Sequence, residues 1–398
     1  IADHRGIIKY TFDIPKFQKL EDEMITIEKV NLDSASEVNR FIQFQYDLYQ
    51  SCPQFCPPFR ADIRVMMNKK KHPFFEHSDG DFFVALSDGK VVGRIAVFIN
   101  YLFNQYHKVK KGQFYFFDSI DNQEVAGKLF ERAFEYCQER GMEDIVGPKG
   151  LSAFDGYGIL IKGFEHHQMM TMMNYNFPYY PKLLENIGFE KEVDFASCYL
   201  HRDKFQFPEK MAEVARRVLE RGKFQIIHFK HKKQIKEIAD ELGAAYNNTF
   251  IHNWEYYPMT KGEIDLLLRN LLDVVNPKLV KIITYEERIV GFFVAFPDIS
   301  KALQRHHGRI TPFSIVDMLI SLRNTDWVSM NGAGVLPEYH GRGGNALLYH
   351  EMQKTIKEFG FTHWELTQVA ETAVQMRKDM TMAGGEFYKT HRVYHKRL

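Results

Sequence analysis

Apolar positions change their spacing along this chain in a fixed order, and the order occurs twice. FFVALSDGKVVGRIAVFIN (82–100) is an apolar run, a charged turn (SDGK) and a second apolar run entered through Val-Gly. VKIITYEERIVGFFVAFPD (280–298) repeats this plan with YEER as its turn. Runs rich in β-branched residues on either side of a short polar turn predict a β-hairpin in each place. Gly93 and Gly291 hold equivalent positions, and 291 − 93 = 198 residues is half the chain. A repeat of that length implies two copies of one domain plan.

The parallel continues downstream. FYFFDSI (114–120) predicts a strand, followed by a helix over 124–141 in which Val125, Leu129, Ala133 and Cys137 recur every four residues beside Phe130 and Phe134. In the second half VSMNGAGVL (328–336) predicts the strand, and 345–360 the helix, with Ala346, Leu348, Met352 and Ile356 on one side. Both helices end at a glycine, Gly141 and Gly360, as a left-handed C-terminal cap requires. Strands at 142–148 and 361–369 follow. A further helix then runs to a glycine turn in each half, LLENIGFEKE and MTMAGGEFYK, before a closing strand. Each half therefore reads ββ, strand, helix, strand, helix, strand. This is an α/β class of the α+β mixed-sheet type: two tandem domains, each a mixed, mostly antiparallel sheet flanked by helices. The charged stretch HRDKFQFPEK (201–210) marks the boundary, giving domains 1–203 and 204–398, and the amphipathic MAEVARRVLERG opens the second or links the two.

A length of 398 residues suits two domains of about 200. The net charge of +1 provides no global field for nucleic acid or an anionic membrane, and the local lysine runs read as solvated faces. No apolar run reaches the 18 residues of a membrane span, and the start has no signal-peptide pattern, so a cytoplasmic protein is expected. The chain opens at Ile1 rather than Met, and a few residues are expected to precede it. Four cysteines make no disulfide framework. Cys52 and Cys56 form a C-x3-C pair, but Cys137 and Cys198 lie far off in apolar contexts, so reduced packing cysteines and no metal are expected. His166-His167 and His306-His307 are adjacent pairs, whose side chains point apart on a strand. Aromatic content is high at 14%, with 34 Phe and 20 Tyr, enough to fill cores and also to line an apolar channel.

One stretch carries chemistry. In GVLPEYHGRGGNALLYHEM (334–352) glycines 341, 343 and 344 stand where a strand hands over to a helix. Bare glycines let a ligand approach the backbone, and the unpaired N–H groups of a first helical turn form an anion site suited to a diphosphate. Arg342 adds a full charge. A P-loop would need Gly-Lys-Ser/Thr here, and a dinucleotide fingerprint would open a parallel unit near its domain start; neither pattern is present.

The run Val335-Leu336-Pro337-Glu338-Tyr339-His340-Gly341-Arg342-Gly343-Gly344-Asn345-Ala346 resembles motif A of the GNAT acyltransferase superfamily, V-x-P-x-x-x-G-x-G-x-x-A. The resemblance implies that the backbone at Val335 and Leu336 meets the pantetheine of CoA. It implies also that His340, Gly341, Arg342, Gly343, Gly344, Asn345 and Ala346 cradle the pyrophosphate. His340 replaces the usual Gln or Arg, and Asn345 a small residue; neither change removes a backbone donor. PFFEHSDGDFFVAL, MTMMNYNFPYYPKLLENIGF, HNWEYYPMT and KTHRVYHKRL resemble, over nearly the whole length, bacterial tandem-GNAT proteins. Aligning the glycines that end the two helices (360 − 141 = 219) sets Asp121-Asn122-Gln123-Glu124-Val125-Ala126 opposite His340 to Asn345. Two carboxylates and no glycine there repel a diphosphate, so the first domain is expected to be a degenerate copy, a lid or substrate-shaping partner, with one active site per chain.

The activity implied is a CoA-dependent N-acyltransferase, with acetyl-CoA the default donor and direct attack by a primary amine in a ternary complex. A longer acyl-CoA with a lipid or hydrophobic amine is the close alternative, and a non-catalytic acyl-CoA sensor or scaffold the alternative of another class. Transfer from aminoacyl-tRNA fits neither the intact loop nor the neutral charge. The family's tyrosine acid is missing from VAETAVQMRKDMTMAGG, and Ala373 stands for its usual Asn. Glu371, at a strand end, is then the first candidate base and Asp298 the second; Tyr394 and Tyr388 are candidate acids.

Overall fold

The structure, a computed structural model, describes residues 24–152, 155–170 and 173–398. The start of the chain, where a signal peptide would lie, is outside the described residues. From the first strand onward the chain forms β1 (Thr26–Lys29), α1 (Ala35–Leu48), α2 (Arg60–Met66), β2 (Asp79–Ser87), β3 (Lys90–Ile99), α3 (Tyr101–His107), β4 (Lys111–Ser119), α4 (Gln123–Gln138), β5 (Asp144–Gly147), β6 (Ile159–Lys162), α5 (Tyr180–Ile187) and β7 (Glu190–His201). Then come α6 (Glu209–Glu220), β8 (Phe224–Ile227), α7 (Lys232–Glu237), α8 (Ala239–Thr249), α9 (Lys261–Val274), β9 (Val280–Tyr285), β10 (Arg288–Pro297), α10 (Ser300–Arg305) and α11 (Pro312–Asn324). The chain closes with β11 (Trp327–Val335), α12 (Gly344–Glu358), β12 (His363–Ala370), α13 (Val374–Met382) and β13 (Glu386–Arg397).

Both expected hairpins form, β2/β3 and β9/β10, and both helices that follow a strand end at a left-handed glycine, Gly141 and Gly360. The packing defines two units, and neither is continuous. The first takes residues up to Ala196, Ile299–Ser321 and Tyr388–Leu398; the second takes Ser197–Asp298 and Leu322–Phe387. Where the sequence suggests one cut at 203/204, two later segments thus belong with the first unit. Their bonds give the reason. Gln304 Nε2 donates to the carbonyls of Pro53 (2.9 Å) and Phe55 (2.8 Å), and Arg60 N–H to that of Gly308 (3.0 Å). At the C-terminal end β13 pairs with β5, Tyr394 opposite Gly147. These are long-range polar matches, which no local apolar period encodes.

In the first unit the strands follow the order β1-β2-β3-β4-β5-β13. Parallel β4 and β5 pair from Lys111↔Asp144 to Gln113↔Val146 and then part. Aromatic rings of β4 pack on those that follow it in the chain. Phe114 packs edge-on to Phe130 (5.0 Å) and Phe189 (5.4 Å), and Phe117 to Tyr180 (5.5 Å). Beside them Arg94 and Asp118 form a buried ion pair at 2.7 Å, and the Tyr180 hydroxyl accepts from Ser119 N–H.

The second unit orders its strands β12-β11-β10-β9-β8. One face packs on α6 and α12 through Val218, Leu347, Met352 and Ile356; the other packs on α7, α8 and α9 through Ile235, Leu242 and Leu268. Parallel β11 and β12 pair only from Trp327↔His363 to Met330↔Leu366, so the C-terminal half of β11 leaves its neighbour. A bulge lies at the same level. Phe293↔Ala333 is followed by Ala295↔Met330, three steps on β11 against two on β10, with Gly332 at φ +88°. A bulge leaves its extra residue out of the ladder and re-aims the backbone.

Candidate active site

After β11 the chain makes a short turn at Pro337–Tyr339 and reaches α12 through His340 to Gly343. Gly341 (φ +74°) and Gly343 (φ +90°) adopt left-handed conformations that disfavour any side chain. At Gly343 space matters as well, since a Cβ would lie 2.6 Å from Val218 Cγ2 on α6. No side chain caps α12. Its first internal bond is Leu347 N–H to Gly343 C=O, and among the described residues no acceptor meets the N–H groups of Gly341, Gly343, Gly344, Asn345 and Ala346. A row of unpaired amides at a helix N-terminus is an anion cradle. Arg342 stands over the rings of Tyr339 (5.2 Å) and Tyr285 (5.8 Å), which hold its guanidinium at the loop. His340 Nε2 donates to Val335 C=O at 2.8 Å and ties the loop to the strand end. Leu336 is core, and its N–H pairs with Val290 C=O.

The corresponding turn of the first unit differs in kind. Asn122 caps α4, its Oδ1 accepting from Glu124 N–H (2.8 Å) and Val125 N–H (3.1 Å), while Glu124 pairs with Lys128 at 3.0 Å. Two of the donors an anion would need are therefore occupied, and a carboxylate stands beside them.

A cavity of about 440 Å³ opens next to the glycine loop. Asn345, Tyr349, Met352 and Ile356 line it along α12, a span of about 16 Å at the helical rise. Met376, Asp379, Met380 and Ala383 of α13 face them. Met330 and Leu366 lie where β11 and β12 part, Trp364 lines the cavity from β12, and Phe205 and Phe207 border it from the segment before α6. Thr249, Phe250 and Asn253, at the end of α8, also border it. Since α8 packs on the opposite sheet face from α12, the parted strands connect the two sides. The lining is chiefly aromatic, aliphatic and thioether.

Two hydroxyls stand out in this apolar setting. Tyr349 has no hydrogen-bond partner among the described residues; burial raises its phenol pKa, and the nearby Asp379 carboxylate adds to the rise, so the hydroxyl keeps its proton. Thr249 Oγ1 is buried and also lacks a partner among the described residues. Sequence reasoning passed over both. Tyr349 sits in an ordinary helical pattern, and Thr249 is brought to the cavity by a helix far away in the chain.

The expected catalytic side chains do not border this cavity. Glu371, in the turn after β12, lines a separate shallow depression with Arg377 and Lys378. Asp298 is buried where the chain leaves β10, its N–H bonded to Trp327 C=O. Tyr394 belongs to the first unit's core, where its hydroxyl donates to Glu185 at 3.1 Å, and Tyr388 packs edge-on to His166. The reason is the same for both tyrosines: β13 joins the sheet of the first unit. Among the described residues no three His, Cys, Asp or Glu side chains form a metal-holding group. All four cysteines are free thiols, and His306 is bonded to Asp317 at 2.9 Å.

In the second unit the parted parallel strands, the bulge and the uncapped glycine loop are together features of the GNAT fold. No protein-family model matches the sequence. Comparison with known proteins agrees with the architecture. The chain is 25% identical over 373 residues to Protein YghO of Escherichia coli (strain K12), covering 92% of this chain and 94% of that protein. It is also 25% identical over 378 residues to the bacterial ceramide synthase of Caulobacter vibrioides (strain NA1000 / CB15N), covering 93% and 97%. Among solved structures it resembles a tandem GNAT protein from the clavulanic acid biosynthesis pathway, with a TM-score of 0.54 at 9% identity over 94% and 98% of the two chains. A GCN5-related N-acetyltransferase from Sphaerobacter thermophilus gives 0.50 at 11% identity, covering 94% and 95%. The fold is that of the GNAT proteins, built in tandem.

Proposed function

We propose that this chain transfers a long acyl group from acyl-CoA to the amine of a lipid or similarly apolar acceptor. The carrying observation is the apolar cavity beside the uncapped loop. An acetyl group would leave most of its lining facing water, whereas each methylene buried there stabilises the complex by about 0.8 kcal/mol. The likeness to a protein named for ceramide synthesis supports the reading, because a ceramide is the amide of a fatty acid with a long-chain amino alcohol.

Each part of the site then has a task. The amides of Gly341 and Gly343 to Ala346 bind the pyrophosphate with Arg342, and the unpaired edge of β11 receives pantetheine. Backbone N–H groups at the bulge polarise the thioester carbonyl as negative charge develops on its oxygen. The neutral amine approaches from the side of Thr249 and Asn253. Its nitrogen forms the new C–N bond as the C–S bond breaks; the proton lost by nitrogen balances the one gained by sulfur. Tyr349 donates a hydrogen bond to the departing thiolate.

The test is thiol release by the full chain with acyl-CoAs of two to sixteen carbons and a long-chain amino alcohol. Palmitoyl-CoA should show the higher kcat/KM. A preference for acetyl-CoA would refute the chain-length reading, and tight acyl-CoA binding without thiol release to any amine would make the protein a sensor. Tyr349→Phe should lower kcat by about tenfold, the value of one well-aimed hydrogen bond, with KM for acyl-CoA little changed. An unchanged kcat would remove Tyr349 from the chemistry.

A further inference from the structure

Helix α11 is built inside out. Ser314 is buried and Asp317, Met318 and Ser321 are half-buried. Phe313, in contrast, is 84% exposed, and Ile310, Ile315, Val316, Leu319 and Ile320 are between 45% and 57% exposed. At 100° per residue the five exposed apolar positions of the helix fill one continuous arc about 160° wide. Water-exposed helix faces are ordinarily charged, and an apolar stripe of this width ordinarily faces a core.

The exposure is not fraying. Arg305 bonds Asp317 through Nε (2.9 Å) and Nη2 (2.8 Å), and His306 Nε2 reaches the same carboxylate. Thr311 N–H donates to Ser314 Oγ at 2.7 Å, closing the N-terminal turn. The preceding α10 is anchored through Gln304 to Pro53 and Phe55. Polar bonds thus hold the helix with its apolar face outward.

We infer that this face seats on the surface of a bilayer containing anionic lipid. The charges around it choose the occupant. In sequence, Lys301, Arg309 and Arg323 lie around it, and Asp317 is the one acid from 299 to 324. That carboxylate is already engaged, held below its ordinary pKa chiefly by its hydrogen bond from Arg305. A second copy docked through this patch would set like charges against each other, whereas anionic headgroups complement them. The chain's net charge of +1 does not oppose this, because screening within about 8 Å makes the local cluster decisive. Among the described residues no helix is long and apolar enough to cross a membrane, so the contact is peripheral: an apolar arc sunk into the interface with a basic rim above it. The inference does not depend on the acyl length assigned above.

Vesicle flotation with the full chain tests it. The protein should float with equimolar phosphatidylcholine–phosphatidylglycerol vesicles and about tenfold less with phosphatidylcholine alone. Phe313→Ser combined with Ile320→Ser should cut flotation at least about tenfold at an unchanged Tm. Were that pair to lower Tm, Arg309→Gln with Arg323→Gln decides, since removing the rim charges should abolish the preference for anionic vesicles. Absence of flotation, equal flotation of the variants, or a wild-type dimer that these substitutions convert to monomer in light scattering would each overturn the proposal. Turnover of a short, soluble acyl-CoA should be the same in wild type and variants, so a failure here is distinct from a failure of the transferase reading.

Discussion

Arg342→Glu is expected to raise the Kd for CoA roughly a hundredfold. The guanidinium lies beside the uncapped amides, over Tyr339 and Tyr285. In a solvent-like dielectric, one unit charge about 6 Å from another contributes about 0.7 kcal/mol. Reversing the side chain changes its charge by two against a diphosphate carrying about two, which sums to about 2.8 kcal/mol, or about a hundredfold in affinity. Added salt should shrink the difference, as exposed charges are screened. Asn122→Ala is the matched control at the corresponding turn of the first unit. It removes the cap of α4 and should destabilise the fold by about 1 kcal/mol while leaving CoA affinity unchanged. Isothermal titration of both variants decides the matter: equal losses, or none at Arg342, would refute a single site at the second loop.

The second large effect is a change of acyl preference. Met376 of α13 lines the cavity and is only half-buried, so an indole can replace it without overfilling the core. Met376→Trp should occupy space that a long chain needs and displace several methylenes at about 0.8 kcal/mol each. The ratio of kcat/KM for palmitoyl-CoA to that for acetyl-CoA is then expected to fall by about a hundredfold or more, with acetyl-CoA turnover little affected. Both rates falling together would mean that the α12–α13 cavity serves the pantetheine arm alone, and an unchanged ratio would place the acyl chain elsewhere.

Local chemistry explains what was readable in advance. Apolar runs rich in β-branched residues around a charged turn marked the hairpins at 82–100 and 280–298, four-residue spacing marked the two long helices, and Gly141 and Gly360 marked where those helices end. Gly341 and Gly343 were likewise legible as the turn between strand and helix, because the need for left-handed backbone is written in the residue type itself. Asp121, Asn122 and Glu124 showed as clearly that the first half differs at the same place.

The remaining features depended on partners distant in sequence. Tyr394 looked available as an acid, but its strand joins β5 and its hydroxyl meets Glu185. Asp298 and Glu371 were chosen from strand ends alone; Asp298 is buried where β10 ends, and Glu371 lines a separate depression. Thr249 and Tyr349 reach the cavity because α8 and α12 pack on opposite faces of a sheet whose strands part at Met330 and Leu366, and the aromatic core of the first unit likewise assembles only on folding. Helix α11 carries an apolar stripe that any pattern reading would assign to a core; its orientation is set by Arg305, His306 and Asp317 on the inner side. By itself, then, the sequence determined the repeated elements and the glycine turn that opens α12, since both follow from residue type and short-range period. Tertiary structure decided which side chains face the cavity and which apolar surface faces out, since those depend on long-range pairing of strands and charges.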